Sequence, residues 1–291
     1  MIRESRLMVV FDMTEPSHFV RMTDEEFLKE AIGIVEKAQS RDLYLRLIGA
    51  LAVYAHSLDD PNAITAFKSL GRLGGGNPAF TDLDLVLYNK QRKGVIKLLE
   101  EMKFKPNNTL NWMFGGGRLV YYHPDGKFMV DLFLDKLEFS HDVVFTQKNG
   151  AGRLELDYPT IPLEDIVLEK LQIHHINRKD VVDLIVLFLG HDVSGGAGKN
   201  VIDGGYISRT LSEDWGFWYD ATKNLSNVTA LAQELAGPNS GLQVEQASKV
   251  KERVDGLLKM IDAQPKTKNW EKREKTGTNK PWYREVDEVS R

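Results

Sequence analysis

The 291-residue chain contains no cysteine and no long run of apolar residues. Without cysteine, disulfide bonds, zinc–thiolate sites and thiol catalysis are excluded. A membrane-spanning helix needs about 20 consecutive apolar residues, and no segment approaches that length. Residues 1–6 include charged side chains, as a secretion signal would. Only a short apolar run and no small-residue cleavage pattern follow them, so a secretion signal is not expected. We therefore expect a cytoplasmic protein with no membrane partner.

Positive charge is not in excess either. The 38 Lys and Arg residues are outnumbered by 42 Asp and Glu residues, which gives a formal net charge of −4. Proteins that coat nucleic acid are usually strongly basic, so the charge argues against that class. The chain is longer than most single domains, which favours a catalytic domain followed by a helical one. The oligomeric state is left open by the sequence.

The sequence does contain a pair of carboxylates at the start of an aliphatic run, TDLDLVLY at residues 81–88. In a strand, Asp82 and Asp84 point to one face while Leu83 and Leu85 point to the other. Two like charges this close repel each other unless a cation lies between them. Mg²⁺ takes oxygen ligands, usually one or two protein carboxylates together with substrate phosphates. The pair therefore indicates a metal site, with an ordinary exposed strand start as the alternative.

Two further segments carry groups that suit such a site. Residues 43–48 have a strand pattern that ends at Gly49, and a helix pattern follows. A glycine lets the backbone approach a ligand closely, and a helix N-terminus favours phosphate. Downstream, Asp131 is the one carboxylate in the strand-like run of residues 128–134. Burial of that carboxylate would be costly unless it were paired or bound to metal.

This order of strand, glycine turn, helix, acidic strand and later carboxylate resembles the nucleotidyltransferase superfamily. The matching positions are Gly49 for the turn, Asp82 and Asp84 for the metal pair, and Asp131 for the third acid. The resemblance covers roughly the first half of the chain. It implies an α+β fold in which a small mixed β-sheet, the nucleotidyltransferase palm, has flanking helices and is followed by a helical domain.

The chain departs from the superfamily pattern at the phosphate end of the site. Ala50 stands where the family usually has a second glycine or a serine whose hydroxyl meets the triphosphate. An inserted segment between Gly49 and the acidic pair includes the glycines at 74–76. We interpret these glycines as a flexible surface loop, because no P-loop Lys-Ser or Lys-Thr follows them. Gly49, Ala50 and Thr81 are the nucleotide contacts expected here.

The second half extends the resemblance. A helix is expected over residues 163–174, with Thr160 as its N-cap, and it carries Lys170. A second helix opens with Asp180 and Asp183. This arrangement resembles the segment that follows the catalytic half of abortive-infection-type nucleotidyltransferases, which implies that Lys170 binds the triphosphate and Asp180 positions it. The alternative is a solvated face on which these charges form weak intrahelical pairs.

The resemblance implies transfer of a nucleoside monophosphate from a nucleoside triphosphate to a hydroxyl group. Asp82 and Asp84 would hold two Mg²⁺ ions, one binding the triphosphate and the other, shared with Asp131, lowering the pKa of the attacking hydroxyl. Mn²⁺ is the alternative ion, and Asp131 would accept the proton. Arg118 and Lys170 would balance the triphosphate charge. The acceptor stays open among a tRNA end, a protein hydroxyl and a small molecule.

The rival hypothesis is a non-catalytic relative that keeps the fold and binds a nucleotide or a partner protein. Ala50 and the inserted segment favour this module. The intact set of three acids favours the enzyme.

The chain is expected to divide into a catalytic domain (1–157), a helical domain (158–263) and a basic aromatic tail (264–291). A capping-box pattern at residues 23–26 opens the first helix. Further helices are predicted at 90–102, 178–189, 215–235 and 244–261, and strands at 119–122 and 128–134.

The second half also contains a glycine-rich segment, a pair of adjacent histidines and an aromatic tail. The segment 194–205 is predicted as a mobile connector in which Gly195, Gly196 and Gly198 take positive backbone angles. His174 and His175 are interpreted as polar surface, because neighbours on a helix point about 100° apart. The tail is expected to dock through its aromatic residues, with stacking on single-stranded nucleic acid as the alternative.

Overall fold

A mixed five-stranded sheet carries the acidic strand near its centre. The computed structural model describes residues 22–72, 80–146, 152–238 and 241–286. The strands are β1 (Leu45–Leu47), β2 (Asp82–Leu87), β3 (Lys105–Pro106), β4 (Arg118–Tyr122) and β5 (Met129–Leu134). Their order in the sheet is β1-β2-β5-β4-β3. Strands β2 and β5 are parallel, and the other neighbours are antiparallel.

Helices flank the sheet and continue after it. Those of the first half are α1 (Asp24–Gln39), α2 (Gly49–Ser57), α3 (Pro61–Ser69), α4 (Arg92–Glu101) and α5 (Asn108–Phe114). Those of the second half are α6 (Leu163–Leu171), α7 (Arg178–Gly190), α8 (Gly204–Leu211), α9 (Trp215–Glu234), α10 (Val244–Ala263) and α11 (Lys268–Glu274). None of the helices in the described ranges is long and apolar enough to span a bilayer. The expected α+β architecture is confirmed, while the division into domains stays a prediction.

Two short strand pairs complete the structure. The antiparallel pair is β6 (Lys136–Glu138) with β7 (Asp142–Val144), and the parallel pair is β8 (Asp192–Ser194) with β9 (Val201–Asp203). The second pair and the start of α8 lie at the two ends of the connector predicted over 194–205, whose mobility stays a prediction. Gly195, Gly196 and Gly198 do not take positive φ, and Asn200 is the residue with the left-handed backbone in this segment, at φ 56°.

Helix α1 begins where its sequence predicts. The Thr23 hydroxyl accepts the Glu26 backbone N–H at 3.2 Å, and the Glu26 carboxylate accepts the Thr23 N–H at 2.8 Å. This capping box satisfies donors that the first turn would otherwise leave without partners. Phe27, Ile34 and Val35 of the same helix are buried in the core.

The inserted segment between α2 and β2 forms a helix rather than a loop alone. Asp60 caps α3 by accepting the N–H groups of Asn62 and Ala63, and Pro61 occupies the first turn, where its missing N–H has no consequence. The helix packs against α7. The glycines at 74–76 lie outside the described residues, as do residues 1–6.

Helix α6 is buried along its whole length. All nine of its residues are buried, including the charged Glu164, Asp165, Glu169 and Lys170. It contacts α2, α7, α8 and α9. The predicted N-cap is wrong, because Pro162 holds that position and the Thr160 hydroxyl lies 2.8 Å from His56 Nε2 instead. Charge this far inside the protein needs partners. Arg153 pairs with Glu164 and Asp165. The partners of Glu169 and Lys170 lie at the candidate site.

The tail docks through aromatic side chains, as expected. The Trp270 ring is buried and meets the Trp218 ring edge-on, with centroids 5.0 Å apart. The Trp282 indole N–H donates to both oxygens of Asp220, each at 3.2 Å. Asp220 also lies 2.8 Å from His174 Nδ1. The interpretation of His174 as polar surface is therefore wrong, because its ring joins the buried contacts that hold the tail.

Replacement of Trp270 by alanine should destabilise the protein by about 3 kcal/mol, because it removes a large buried ring. Trp112→Ala is the matched control: this ring is 87% exposed, and its removal should change stability by less than about 0.5 kcal/mol. Urea denaturation measures both free energies of unfolding. Equal losses in the two variants would contradict the docked tail.

Candidate metal and nucleotide site

The sheet brings the three predicted carboxylates together. Parallel pairing of β2 with β5 sets Asp84 directly beside Asp131, and Asp82 stands two residues before Asp84 on the same face. Ligand oxygens of the three residues all lie within 4.8 Å of one another. Leu83 and Leu85 are buried on the opposite face, as the alternation predicts. A set of three carboxylates suits Mg²⁺ or Mn²⁺, because hard cations prefer oxygen ligands.

Asp84 lies in an environment that disfavours its negative charge. Burial raises the pKa of its carboxyl well above the ordinary value, and the charges of Asp82, Asp131 and Glu169 raise it further. The ammonium of Lys170 opposes this rise but does not cancel it. A cation placed among these carboxylates would favour the ionised form of Asp84.

Gly49 lies against Asp84, which explains why this position is glycine. Its backbone is left-handed, at φ 67°, and a Cβ on it would lie only 2.8 Å from Asp84 Oδ2. A larger residue would be strained and would collide with the carboxylate. The Gly49 N–H donates to Glu169 Oε2 at 3.1 Å. The turn thus borders the acids, and its amide is bonded to a fourth carboxylate.

Arg118 contacts the third acid of the site. Its Nε and Nη2 donate to Asp131 Oδ1 and Oδ2 at 3.0 and 2.7 Å. Asp131 is 1% exposed, so this two-point contact supplies the positive charge that a buried carboxylate needs. Antiparallel pairing of β4 with β5 brings the two residues together, since Val120, two positions after Arg118, faces Asp131.

Lys170 and Asp180 meet in the buried interior, which excludes the solvated face considered from sequence. Lys170 Nζ lies 2.9 Å from Asp180 Oδ1 and 3.1 Å from Asp183 Oδ2. Burial alone would lower the pKa of the lysine, but the carboxylates of Asp180, Asp183 and Glu169 outweigh it and raise the pKa. The predicted pairing of Lys170 with Asp180 is present, while contact with a triphosphate stays a prediction.

The two remaining predicted residues lie beside the acids. Thr81 is exposed, and its hydroxyl donates to Asp82 Oδ1 at 2.9 Å. Ala50 is the second residue of α2 and is half-buried. Neither has a contact that assigns it a nucleotide role, so both assignments stay predictions.

Sequence reasoning missed Glu169 and Arg72. Glu169 is a buried neighbour of Lys170, and its position next to that lysine in the sequence could have indicated it. Arg72 follows α3 and binds Asp183 through Nε and Nη2, at 2.6 and 3.1 Å. No local pattern indicates this pair, because 111 residues separate its members.

Comparison with known proteins gives only distant likenesses. No protein-family model matches the chain, and the search of curated proteins finds no match. The crystal structure of ANT(2'')-Ia with adenylyl-2''-tobramycin is 14% identical with a TM-score of 0.29, over 50% of this chain and 74% of that one. The solution structure of the antibiotic-resistance factor ANT(2'')-Ia is 12% identical with a TM-score of 0.35, over 73% and 98%. An antigenic nucleotidyltransferase-like protein from Paracoccidioides brasiliensis is 14% identical with a TM-score of 0.29, over 85% and 97%.

At these TM-scores the likenesses carry no information about activity, substrate or partners. The Gly49 turn beside the acidic strand and the grouped acids are present as the sequence resemblance implied. The fold therefore agrees with that resemblance, while the assignment to the nucleotidyltransferase superfamily stays a prediction.

Replacement of Arg118 by glutamine should destabilise the protein in EDTA by about 1–3 kcal/mol, because it leaves the buried Asp131 without its guanidinium. Mn²⁺ should recover most of this loss, since the ion supplies positive charge at the same carboxylates. Thermal unfolding with and without Mn²⁺ measures the effect. A loss that Mn²⁺ leaves unchanged would contradict the view that the pair belongs to a metal site.

Proposed function

We propose that the protein is a nucleotidyltransferase that moves a nucleoside monophosphate from a nucleoside triphosphate to a hydroxyl acceptor, using Mg²⁺ or Mn²⁺. The observation that carries this proposal is the grouping of Asp82, Asp84 and Asp131 within 4.8 Å on one face of the sheet. Their hard oxygen atoms fit a divalent cation, which would offset the burial and the neighbouring acids that raise the pKa of Asp84.

Each acidic residue of the site has its own role in the proposed reaction. Asp82 and Asp84 would hold two metal ions, one of them shared with Asp131, which would supply positive charge for the triphosphate and acidify the acceptor hydroxyl. The hydroxyl oxygen forms a bond to the α-phosphorus, and the bond from that phosphorus to the bridging oxygen breaks, so that pyrophosphate leaves. The hydroxyl proton passes to the carboxylate of Asp131, which the Arg118 guanidinium orients.

Positive charge for the triphosphate comes from Lys170 and Arg118. The Lys170 ammonium has three N–H donors, and its two short contacts, to Asp180 and Asp183, use two of them. The third can turn toward a phosphate oxygen. Asp180 positions the lysine by the 2.9 Å contact, as the sequence resemblance implied. Gly49, Ala50 and Thr81 are the further nucleotide contacts of this proposal. The reaction takes place in the cytoplasm, on a tRNA end, a protein hydroxyl or a small molecule.

A non-catalytic nucleotide-binding or partner-binding module is the second candidate. The contact that favours it is the hydrogen bond from the Gly49 N–H to Glu169, which engages an amide that a phosphate would otherwise use. Ala50 adds no hydroxyl to replace it. Binding of a nucleotide without its turnover would select this candidate.

Calorimetric titration of ATP, CTP, GTP and UTP should give Mg²⁺-dependent binding of at least one nucleotide. Asp84→Asn should weaken that binding at least about tenfold, because it removes a charged oxygen ligand of the metal. Asp59→Asn is the matched control, since this exposed aspartate lies on the loop between α2 and α3. Nucleotide binding that does not depend on Mg²⁺, or that is unchanged in the Asp84→Asn variant, would overturn the metal assignment.

Incubation with α-³²P-labelled nucleotide and total tRNA, protein extract or small hydroxyl compounds should transfer label to one of these fractions. We expect Asp131→Asn to lose at least about 100-fold in rate, because the proton acceptor is gone. Nucleotide binding should fall much less in that variant, because Asp82 and Asp84 would still hold the ion that binds the triphosphate. Mg²⁺-dependent binding with no label transfer to any fraction would favour the non-catalytic module.

A further inference from the structure

Helix α2 has no N-terminal cap of its own. Its N-cap is Ile48, which has no polar side chain, and its first turn contains no acidic residue. The first N–H groups of a helix need acceptors, and its positive end attracts an anion. The acceptor comes from α6 instead, because Glu169 Oε2 takes the Gly49 N–H from 120 residues away in the chain.

Burial of the Glu169 carboxylate beside the start of α2 is energetically unfavourable. The residue is 6% exposed, and burial raises the pKa of its carboxyl, against the opposing effects of Lys170 and the Gly49 N–H. Its Oε1 lies 3.8 Å from Lys170 Nζ, which is too far for a hydrogen bond. In the described part of the chain, the Gly49 amide is therefore the hydrogen-bond donor that compensates this buried charge.

The same turn touches a metal-site carboxylate on its other side. The space beside Gly49 is closed by Asp84 Oδ2, which would lie 2.8 Å from a Cβ at that position. The Ile48 N–H also donates to the Asp84 carbonyl oxygen at 3.1 Å. Displacement of the turn would therefore change how the Asp84 carboxylate is oriented toward Asp131, its neighbour on β5.

Helix α6 is held firmly enough to fix that turn. Near its start, the Arg153 Nε donates to Asp165 Oδ2 at 2.8 Å. At its end, the Asn224 side-chain amide donates to the carbonyl oxygens of Leu171 and Ile173, at 3.0 and 2.8 Å. Both ends of the helix are thus bonded to other parts of the chain.

We infer that Glu169 is a positioning residue for the metal site: it caps α2 from α6 and so fixes the Gly49 turn that orients the Asp84 carboxylate. The inference rests on the proposed function, because it concerns the same metal-binding acids. Glu169 and Lys170 are adjacent residues of α6. This one helix therefore positions both the Lys170 ammonium and, through the Gly49 turn, the metal-binding carboxylate of Asp84.

Substitutions at Glu169 separate positioning from simple stability. Glu169→Gln keeps an oxygen acceptor for the Gly49 N–H, whereas Glu169→Ala removes it. Mn²⁺ titration of the free protein, followed by the electron paramagnetic resonance of unbound Mn²⁺, should show a loss of about 10- to 100-fold in affinity for the alanine variant. The glutamine variant should rescue most of that affinity.

Two further variants keep the test decisive. Glu164→Ala removes another buried carboxylate of α6, one bound to Arg153, and should lower the unfolding temperature without changing Mn²⁺ affinity. Gly49→Ala pushes the turn onto Asp84 from the other side and should reproduce the loss of affinity. If Glu169→Ala fails to fold, Glu169→Asp, which is too short to reach the amide, takes its place.

Unchanged Mn²⁺ affinity in folded Glu169→Ala or Glu169→Asp would overturn the inference and leave the proposed function intact. A glutamine variant as weak as the alanine variant would also overturn it, because charge would then matter rather than the hydrogen bond. Failure of the proposed function looks different: wild-type protein would bind no Mn²⁺, or Asp82→Asn/Asp84→Asn would bind it as well as wild type.

Discussion

The repulsion between carboxylates on two adjacent parallel strands is the constraint on which the rest of the site depends. Register alone places Asp84 beside Asp131, and no rearrangement within the sheet could separate them without breaking the ladder. The neighbouring elements contribute the groups that make this arrangement tolerable. Arg118 neutralises Asp131 from β4, and Lys170 opposes the effect of the other acids on Asp84 from α6. A divalent cation would complete the compensation with the charge that these side chains lack.

Burial of charge explains why the helical half contacts the candidate site. Helix α6 is buried on all sides, yet it carries Glu169 and Lys170. Both are stable there only because α2 and α7 offer partners, a backbone amide for the carboxylate and two aspartates for the ammonium. The contacts that compensate the buried charges of α6 therefore also hold this helix against the Gly49 turn, which lies beside the acidic strand. Stability and the geometry of the site have a common origin here.

The parts of this account that could be predicted from sequence are those that depend on local patterns. Alternation placed Asp82 and Asp84 on one face of a strand, and the Thr23 capping box opened α1 as expected. The cap assigned to Thr160 failed because a tertiary contact with His56 competes for its hydroxyl. The contacts of Glu169 with Gly49 and of Arg72 with Asp183 join residues 120 and 111 positions apart. No periodicity or spacing encodes such pairs, since they depend on how the helices pack.

The central claim is that the three carboxylates form one metal site shared with a nucleotide. Electron paramagnetic resonance of the protein with Mn²⁺ and a non-hydrolysable nucleoside triphosphate tests it most directly. We expect two bound Mn²⁺ ions per chain. As in other two-metal sites, they should lie close enough to be magnetically coupled. Asp82→Asn/Asp84→Asn should abolish the coupled signal. Isolated Mn²⁺ ions with no coupling, or a coupled pair that persists in the double variant, would contradict it.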